Sequence, residues 1–544
     1  MKKRSMAWLL SAAVLAGSLT GCAGRKEKEP LSYMQEVNEA VKPVKMEDKY
    51  RNCYEIFVYS FYDSDGDGIG DLKGVDEKLD YIASLGADQI WLMPVCPSPT
   101  YHKYDVTDYM AIDPAYGNLE DFKKLVKDCH KRGISVITDL VLNHTSSEHP
   151  WFQEACAYLK EHKGKTDINE KDCPYLSYYQ FEKSDHDKNG YARLKGTDYL
   201  YEAQFWEGMP DLNLDHPAVR KEIEKITAFW TSLGVDGYRL DATTSYYTGR
   251  NSKNIEFMTW LNDMIKKQNK DAYIVGEAWC DSMTYTSFYQ SGIDSFFDFD
   301  FAGNDGEIAQ CVRGTRSAKD FGKSMIWMQD KIAQNGKDGI DAPFYTNHDM
   351  ARSAGYYAMD DKGEKTKFAE GLNLMMSGNA FLYYGEEIGM KGSGIDENKR
   401  APMYWSKKKS KGTTKGPQGM EAFDMKFAAL DKQKKDPYSI YSYVQQALRL
   451  RRNFPAIARG DVSMDEDLSN EEVLVIEKKP KSAALSPVVL VYNMSEKQQE
   501  VDLSKMAFPQ RTLSGVLTVN KKKISLQKER LLMPGRSIAV LTQK

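Results

Sequence analysis

Four short apolar runs along the middle of the chain end in acidic residues: Asp139-Leu140-Val141-Leu142-Asn143-His144, Gly237-Tyr238-Arg239-Leu240-Asp241, Val275-Gly276-Glu277 and Thr346-Asn347-His348-Asp349. Each reads as the end of a parallel strand, which in an α/β barrel is the face that carries chemistry. Asp241 and Glu277 are 36 residues apart, and Glu277 and Asp349 are 72 apart, twice that interval. One and two βα units fill those intervals, at roughly 30 residues per unit in a barrel of about 250. Arg239 lies two residues before Asp241 and so shares its side of the strand. A single carboxylate after an apolar run is often only a helix cap or turn residue. Four in register, with an arginine on the same face, point to a shared crevice.

The rest of the chain fits that frame. Strand-like runs recur at Tyr54–Tyr59, Gln89–Met93, Val136–Asp139, Asp236–Leu240, Tyr273–Glu277, Ser295–Phe299, Pro343–Asn347 and Phe381–Gly385. Amphipathic stretches such as Leu119–Arg132, Val219–Leu233 and Ile255–Lys267 lie between them. Eight such repeats predict an α/β fold, a (β/α)8 TIM barrel. The interval from Asp139 to Asp241, 102 residues, is nearly three repeats long. Its excess is rich in aromatic and polar residues and predicts a domain inserted after the third strand. Beyond Ile440–Phe454 the pattern turns to the short runs Val473–Lys478, Val488–Tyr492, Leu513–Val519 and Ser537–Thr542, as in a small antiparallel β domain. The expected plan is a barrel over residues 48–144 and 214–455, an insertion over 145–213 and a β domain over 456–544.

Residues 1–21 read as a secretion signal. Lys2, Lys3 and Arg4 precede the apolar run Ala7–Leu19, which is too short to span a bilayer as a mature helix. Leu19-Thr20-Gly21-Cys22 resembles a bacterial lipobox, which implies cleavage before Cys22 and acylation of its thiol; an ordinary signal peptide is the alternative. Residues 22–47 then read as a solvated tether, and the protein as lipid-anchored to the bacterial membrane or cell surface, outside the cytoplasm. With 74 basic against 78 acidic residues and no basic patch, a nucleic-acid partner is not expected. Nor is zinc, since the eight cysteines show no CxxC spacing. Cys156 and Cys173 bracket a polar stretch and could pair, although buried thiols are the simpler reading. A monomer is expected.

Asp63-Ser64-Asp65-Gly66-Asp67-Gly68-Ile69-Gly70-Asp71 is a signal of another kind. Alternating carboxylates and glycines can wrap a hard cation in oxygen ligands. The gathered strand-end carboxylates suit glycosidic bond cleavage, which needs a nucleophilic carboxylate, a protonated acid and support for a cationic transition state.

The four strand-end segments resemble, in order, the signature regions of the α-amylase family, glycoside hydrolase family 13. Met209-Pro210-Asp211-Leu212-Asn213 resembles its extra signature before strand 4, in the form of a group intermediate between oligo-1,6-glucosidases and neopullulanases. The likeness runs from about Tyr54 past Trp405. It implies retaining chemistry, with Asp241 as nucleophile, Glu277 as acid and base, and Asp349 as a third carboxylate. It also implies that Arg239 keeps Asp241 ionised, that His144 and His348 donate to the sugar, and that Tyr104 is a platform beneath it. Asp105 would lie near the blind end of the pocket with Arg400 as its partner. Calcium is implied at Asp63, Asp65, Asp67, Asp71 and the Ile69 carbonyl, a second calcium at Asn143 and Asp211, and a β-sandwich at the C-terminus.

Three departures qualify the likeness. Ala242-Thr243-Thr244-Ser245 replaces the Ala-Ala-Lys-His that grips an acceptor sugar in many amylases. The valine that follows the nucleophile in α-1,6-specific relatives is absent. Met350-Ala351-Arg352 continues the fourth signature unusually. The expectation is a retaining hydrolase of α-1,4 bonds in starch, maltodextrins or related α-glucans. An exo-acting α-glucosidase, an oligo-1,6-glucosidase and a maltodextrin glucosyltransferase are the alternatives. A tethered starch-binding protein without catalysis is the reading from another class, and intact Asp241, Glu277, Asp349 and Arg239 argue against it.

Overall fold

The computed structural model describes residues 31–164, 168–408, 411–506, 508 and 511–543. Eight parallel strands, β1 Asn52–Ile56, β2 Gln89–Leu92, β3 Ser135–Leu140, β4 Gly237–Leu240, β5 Tyr273–Gly276, β6 Ser295–Asp298, β7 Ala342–Pro343 and β8 Ala380–Tyr383, lie in the order β7-β6-β5-β4-β3-β2-β1-β8. A parallel bridge between Phe344 and Phe381 joins the two end strands and closes the ring. All eight expected strands are present. The first ends early, at Ile56, because Val58–Phe61 forms one turn of helix.

Period-two alternation divides the strand residues between two cores. Cys53, Trp91, Ile137, Tyr273, Val275, Phe297, Ala342, Phe344 and Phe381 form an apolar cluster of their own inside the barrel. Their neighbours Tyr54, Ile90, Val136, Tyr238, Ile274, Phe296 and Leu382 join the larger core that includes the surrounding helices. Gly237 lets β4 approach β5, since a Cβ there would lie 1.8 Å from the Tyr273 carbonyl oxygen. Two residues beyond the inward Cys53, Ile137 and Val275 come Glu55, Asp139 and Glu277. The alternation that fills the barrel thus delivers charge to its C-terminal mouth.

The helix Leu119–Lys131 illustrates the outer ring. Asn118 caps it by accepting from the Glu120 and Asp121 amides, acidic residues fill its first turn, and His130 and Lys131 its last. Such a cap contributes about 1 kcal/mol. One face buries Phe122, Leu125, Val126 and Cys129 against the core.

Between β3 and β4 the chain adds a helix, Pro150–Glu161, and a three-stranded antiparallel sheet of Phe181–Lys183, Tyr191–Arg193 and Tyr199–Glu202. Its aromatics largely pack on one another, with Phe152 5.0 Å from Tyr179 and 4.9 Å from Tyr201. The C-terminal part holds a five-stranded antiparallel sheet, Gly460–Met464, Val473–Pro480, Val488–Asn493, Ser537–Gln543 and Arg511–Thr518 in spatial order. A three-stranded sheet of Gln499–Asp502, Arg530–Met533 and Ser525–Gln527 accompanies it.

The solvated tether expected over 22–47 needs correction. Tyr33–Glu39 is a helix opened by a Ser32–Gln35 capping box, with Met34 and Asn38 buried. Asn38 exchanges hydrogen bonds of 2.9 and 2.8 Å with the Val516 backbone of the C-terminal sheet. A buried amide with both ends satisfied pins the segment to the β domain. Cys22 and the signal sequence lie outside the described residues. No described helix is long and apolar enough to cross a membrane. The seven described cysteines, including Cys156 and Cys173, are free thiols.

Candidate active site

Arg239 organises the mouth of the barrel. Its side chain is buried, and it pairs with Asp139 at 2.6 Å, Asp241 at 2.7 Å and Glu277 at 2.8 Å. Asp241 and Asp139 take Nη1 while Glu277 takes Nη2, so the width of one guanidinium separates Asp241 from Glu277. Burial lifts the carboxyls of Asp241 and Glu277 above the ordinary range, against the charge of Arg239. Neighbouring Asp241 and Asp349 push Glu277 up further. Burial also raises Asp139 to about 7, although Arg239 opposes it. Three carboxylates share one cation, so a proton retained on one of them is favoured by mutual repulsion.

The turn after Asp241 fixes Glu277. Ala242 sits at φ 46, in the left-handed region, and its amide donates to Glu277 Oε2 at 3.0 Å. A non-glycine residue there costs of order 1–3 kcal/mol and marks strain at a working site. Thr243 is turned inward: its amide and hydroxyl both donate to the Glu277 carbonyl, at 2.9 and 2.6 Å. It therefore braces the acid through its backbone carbonyl.

Asp349 stands nearer solvent, its side chain 31% exposed against 10% for Asp241 and Glu277. His348 lies 3.1 Å from it and 2.6 Å from Glu55. Burial opposes charge on His348, but Asp349 and Glu55 outweigh it and raise the imidazole to about 9. The cation in turn holds Asp349 below the usual carboxylate range despite burial, with help from Arg400. Tyr104 stacks on His348, with centroids 5.6 Å apart, and accepts from its Nε2 at 2.8 Å. His144, pushed down to about 4 by burial, is neutral and donates Nε2–H to the Tyr104 carbonyl at 3.2 Å. In this arrangement it orders the platform rather than presenting a proton to a sugar.

One expected pairing is not formed. Arg400 meets Asp349 at 2.9 Å and the Tyr101 hydroxyl at 3.1 Å, not Asp105. Asp105 is buried and satisfied by the Ser98 hydroxyl at 2.7 Å and by Thr100. Hydroxyl donors within its own loop serve its Oδ1 in place of the guanidinium. The unusual Met350-Ala351-Arg352 now has a physical account. Arg352 is fully buried, donates to the Lys399 carbonyl at 2.9 Å and the Tyr384 carbonyl at 2.6 Å, and lies 4.3 Å from the Tyr383 ring centroid. It ties the Asp349 loop to the residue preceding Arg400.

Asp63, Asp65 and Asp71 bring carboxylate oxygens within 4.8 Å of one another, the one such group of three metal-type donors among the described residues. Asp67 stands apart, with its carboxylate accepting from the Ile69 amide at 2.7 Å. Asn143 and Asp211 are adjacent, but the Asn143 amide donates to Asp211 at 3.1 Å, which leaves them bonded to each other. Sequence reasoning missed Glu55, Tyr101 and Arg352 as parts of the site and, though it placed Asp139 at a strand end, gave it no role. Glu55 left a signal, a charge inside an apolar strand. Around the mouth Phe205, Trp206 and Trp279 remain half exposed, with Phe205 5.2 Å from His144 and Trp279 stacked on Phe299 at 5.0 Å.

A closed α/β barrel whose strand ends gather an arginine-bridged carboxylate pair and a third carboxylate has the makings of a glycoside hydrolase. The chain belongs to the α-amylase family: the model of the alpha amylase catalytic domain matches residues 55–460. It is 35% identical over 470 residues to Alpha-amylase 3 of Dictyoglomus thermophilum, spanning 84% of this chain and 89% of that protein. An oligo-1,6-glucosidase of Parageobacillus thermoglucosidasius is 29% identical, over 78% of this chain and 88% of its own. Among solved structures, Eubacterium rectale Amy13B superposes with a TM-score of 0.91 at 46% identity, covering 95% of this chain and 99% of that one.

Proposed function

We propose that this chain hydrolyses α-1,4-glucosidic bonds in starch-derived chains with retention of configuration. The observation that carries the reading is the single buried Arg239 bridging Asp241 and Glu277. Asp241, ionised beside the guanidinium, attacks the anomeric carbon while Glu277 gives its proton to the departing glycosidic oxygen. The resulting glycosyl ester on Asp241 is then attacked by water. Glu277, now a carboxylate, takes the water proton and Asp241 leaves. Asp349, kept anionic by His348 and Arg400, accepts hydrogen bonds from sugar hydroxyls.

The unformed Arg400–Asp105 pair favours attack within chains over removal of single end units, because formation of that pair is what would close the non-reducing side. The test is a product time course on soluble starch and on maltoheptaose blocked at its non-reducing end. Mixed short products with cutting of the blocked chain are expected. Glucose released singly, with no attack on the blocked chain, would overturn internal cleavage.

The acidic loop suits calcium: Asp63, Asp65 and Asp71 offer three clustered oxygens, and a bound ion would draw its remaining ligands, six to eight in all, from the Ile69 carbonyl, water and Asp67 once turned inward. A chelator is expected to lower Tm by several degrees, with Asp63→Asn abolishing the difference. Lipid attachment at Cys22 rests on Leu19-Thr20-Gly21-Cys22, and Cys22→Ala is expected to release the protein from membranes. The intermediate subgroup rests on Met209–Asn213, and action as a monomer on the single chain supplying the whole site.

A further inference from the structure

The loop that leaves β6 has a second side. Phe299 faces Trp279 near the mouth, whereas Asp300 and Phe301 help line a separate cavity of about 440 Å3 against the helices Glu307–Arg313 and Ala318–Asn335. None of the residues around Arg239 lines it.

The Glu307–Arg316 pair in its wall is incomplete. Arg316 Nη2 meets Glu307 at 2.9 Å and the Ser324 hydroxyl at 2.6 Å. Glu307 Oε2 and Arg316 Nε are buried and have no hydrogen-bond partner among the described residues. Each unmet buried polar atom costs about 1–3 kcal/mol, and the remainder of the two side chains, 29% exposed for Arg316 and 17% for Glu307, stays open to a hydroxyl-bearing occupant. Burial has also pushed the Glu307 carboxyl up to about 7, as expected for an under-solvated acid. Beside the pair, Trp327 is 40% exposed, with Lys331 5.7 Å from its ring centroid.

The remaining walls narrow the ligand class. Asp300, Glu307 and Asp320 face Arg316 and Lys323, so opposing charges nearly cancel and neither a strong anion nor a cation is favoured. An exposed indole suits the apolar face of a pyranose ring, while carboxylate and guanidinium groups suit vicinal hydroxyls. The volume lies within the range of small-ligand pockets.

We propose that this cavity is an accessory saccharide site, with Trp327 as the stacking platform and the Glu307–Arg316 pair as the hydroxyl clamp. The saccharide is an α-glucan segment outside the catalytic crevice, an assignment that rests on the substrate class argued above. Its use is to hold long chains at the rim from which β6 feeds the active site.

Calorimetric titration with maltoheptaose in an Asp241→Asn background, which prevents turnover, tests it. Two bound saccharides per chain are expected, falling to one when Trp327→Ala is added, and weakened about fivefold or more at the second site by Glu307→Gln. One saccharide in the Asp241→Asn protein, or two that survive Trp327→Ala, would overturn the proposal. Equal binding of cellohexaose at the Trp327 site would overturn the α-glucan assignment. In parallel, Trp327→Ala alone is expected to keep kcat/KM on soluble maltoheptaose within about twofold and to lose about five- to tenfold on granular starch. Wild type that hydrolyses neither substrate would sink the catalytic reading, while the titration still reports on the second site.

Discussion

The two ends of the barrel handle charge in opposite ways. At the C-terminal mouth one guanidinium serves three carboxylates, and burial lifts all three. At the N-terminal end, near a cavity of about 860 Å3 lined by residues such as Asn52, Gln89, Ser135 and Tyr273, cations outnumber the carboxylates they meet. Lys49 and Lys266 each sit 2.5 Å from Asp294, and Arg459 grips Asp48 through two contacts of 2.7 Å. Arg451 is buried there too, but on the neutral carbonyls of Leu374 and Met376. That end thus sets two cations on one carboxylate, whereas the mouth sets three carboxylates on one cation and so holds the acids that bond breaking needs.

That contrast can be broken by mutation. Asp241→Asn or Glu277→Gln is expected to lower kcat on soluble oligosaccharides by roughly four orders of magnitude or more. Lys49→Met, at the N-terminal end, should leave kcat within about twofold. A comparable loss from both would erase the distinction. Next in size is Arg239→Lys. A lysine cannot fork to Asp241 and Glu277 together, so kcat should fall roughly 100-fold, with the pH profile displaced as the carboxylates lose their shared partner.

The pH response sharpens the comparison further. His348 is raised from 6.5 to about 9 in the fold, so its contribution to stability is complete below 6.5 and lost as pH rises through 9. Asp349, held low, contributes above the ordinary carboxylate range and loses that contribution as pH falls through its folded value. Urea midpoints of wild type should therefore fall from pH 6.5 to 9.5 more steeply than those of Glu55→Gln, which removes one partner of the imidazolium. Parallel profiles would contradict the assignment of charge to His348. The smallest effect is expected from Thr243→Val. It keeps the shape and the amide contact but loses the hydroxyl bond to Glu277, worth about 1 kcal/mol, or roughly fivefold in kcat with KM unchanged.

Much of this was legible in the residues, because the barrel and its chemistry share one periodicity. Strand ends such as Gly237–Asp241 announce themselves by apolar runs that terminate in charge, and their spacing counts βα units. What escaped was whatever depends on two distant loops meeting. Arg400 was expected on Asp105, yet Asp105 satisfies itself within its own loop and leaves Arg400 to Asp349. Arg352 gave no clue in sequence because its partners are mainly carbonyls and ring faces. The second C-terminal sheet is implied only by the resemblance, and its strands escape individual reading because those such as Gln499–Asp502 bury only Val501 and carry little apolar signal. Tyr33–Glu39 reads as tether in sequence because seven residues are too few to stand as a helix without a docking face.

The most direct test of the pair bridged by Arg239 is the configuration of the first product. Proton NMR of maltooligosaccharide hydrolysis, recorded before mutarotation, is expected to reveal the α anomer at newly formed reducing ends in wild type and no signal with Asp241→Asn. A β anomer appearing first would mean direct displacement by water, and would contradict Asp241 as the nucleophile.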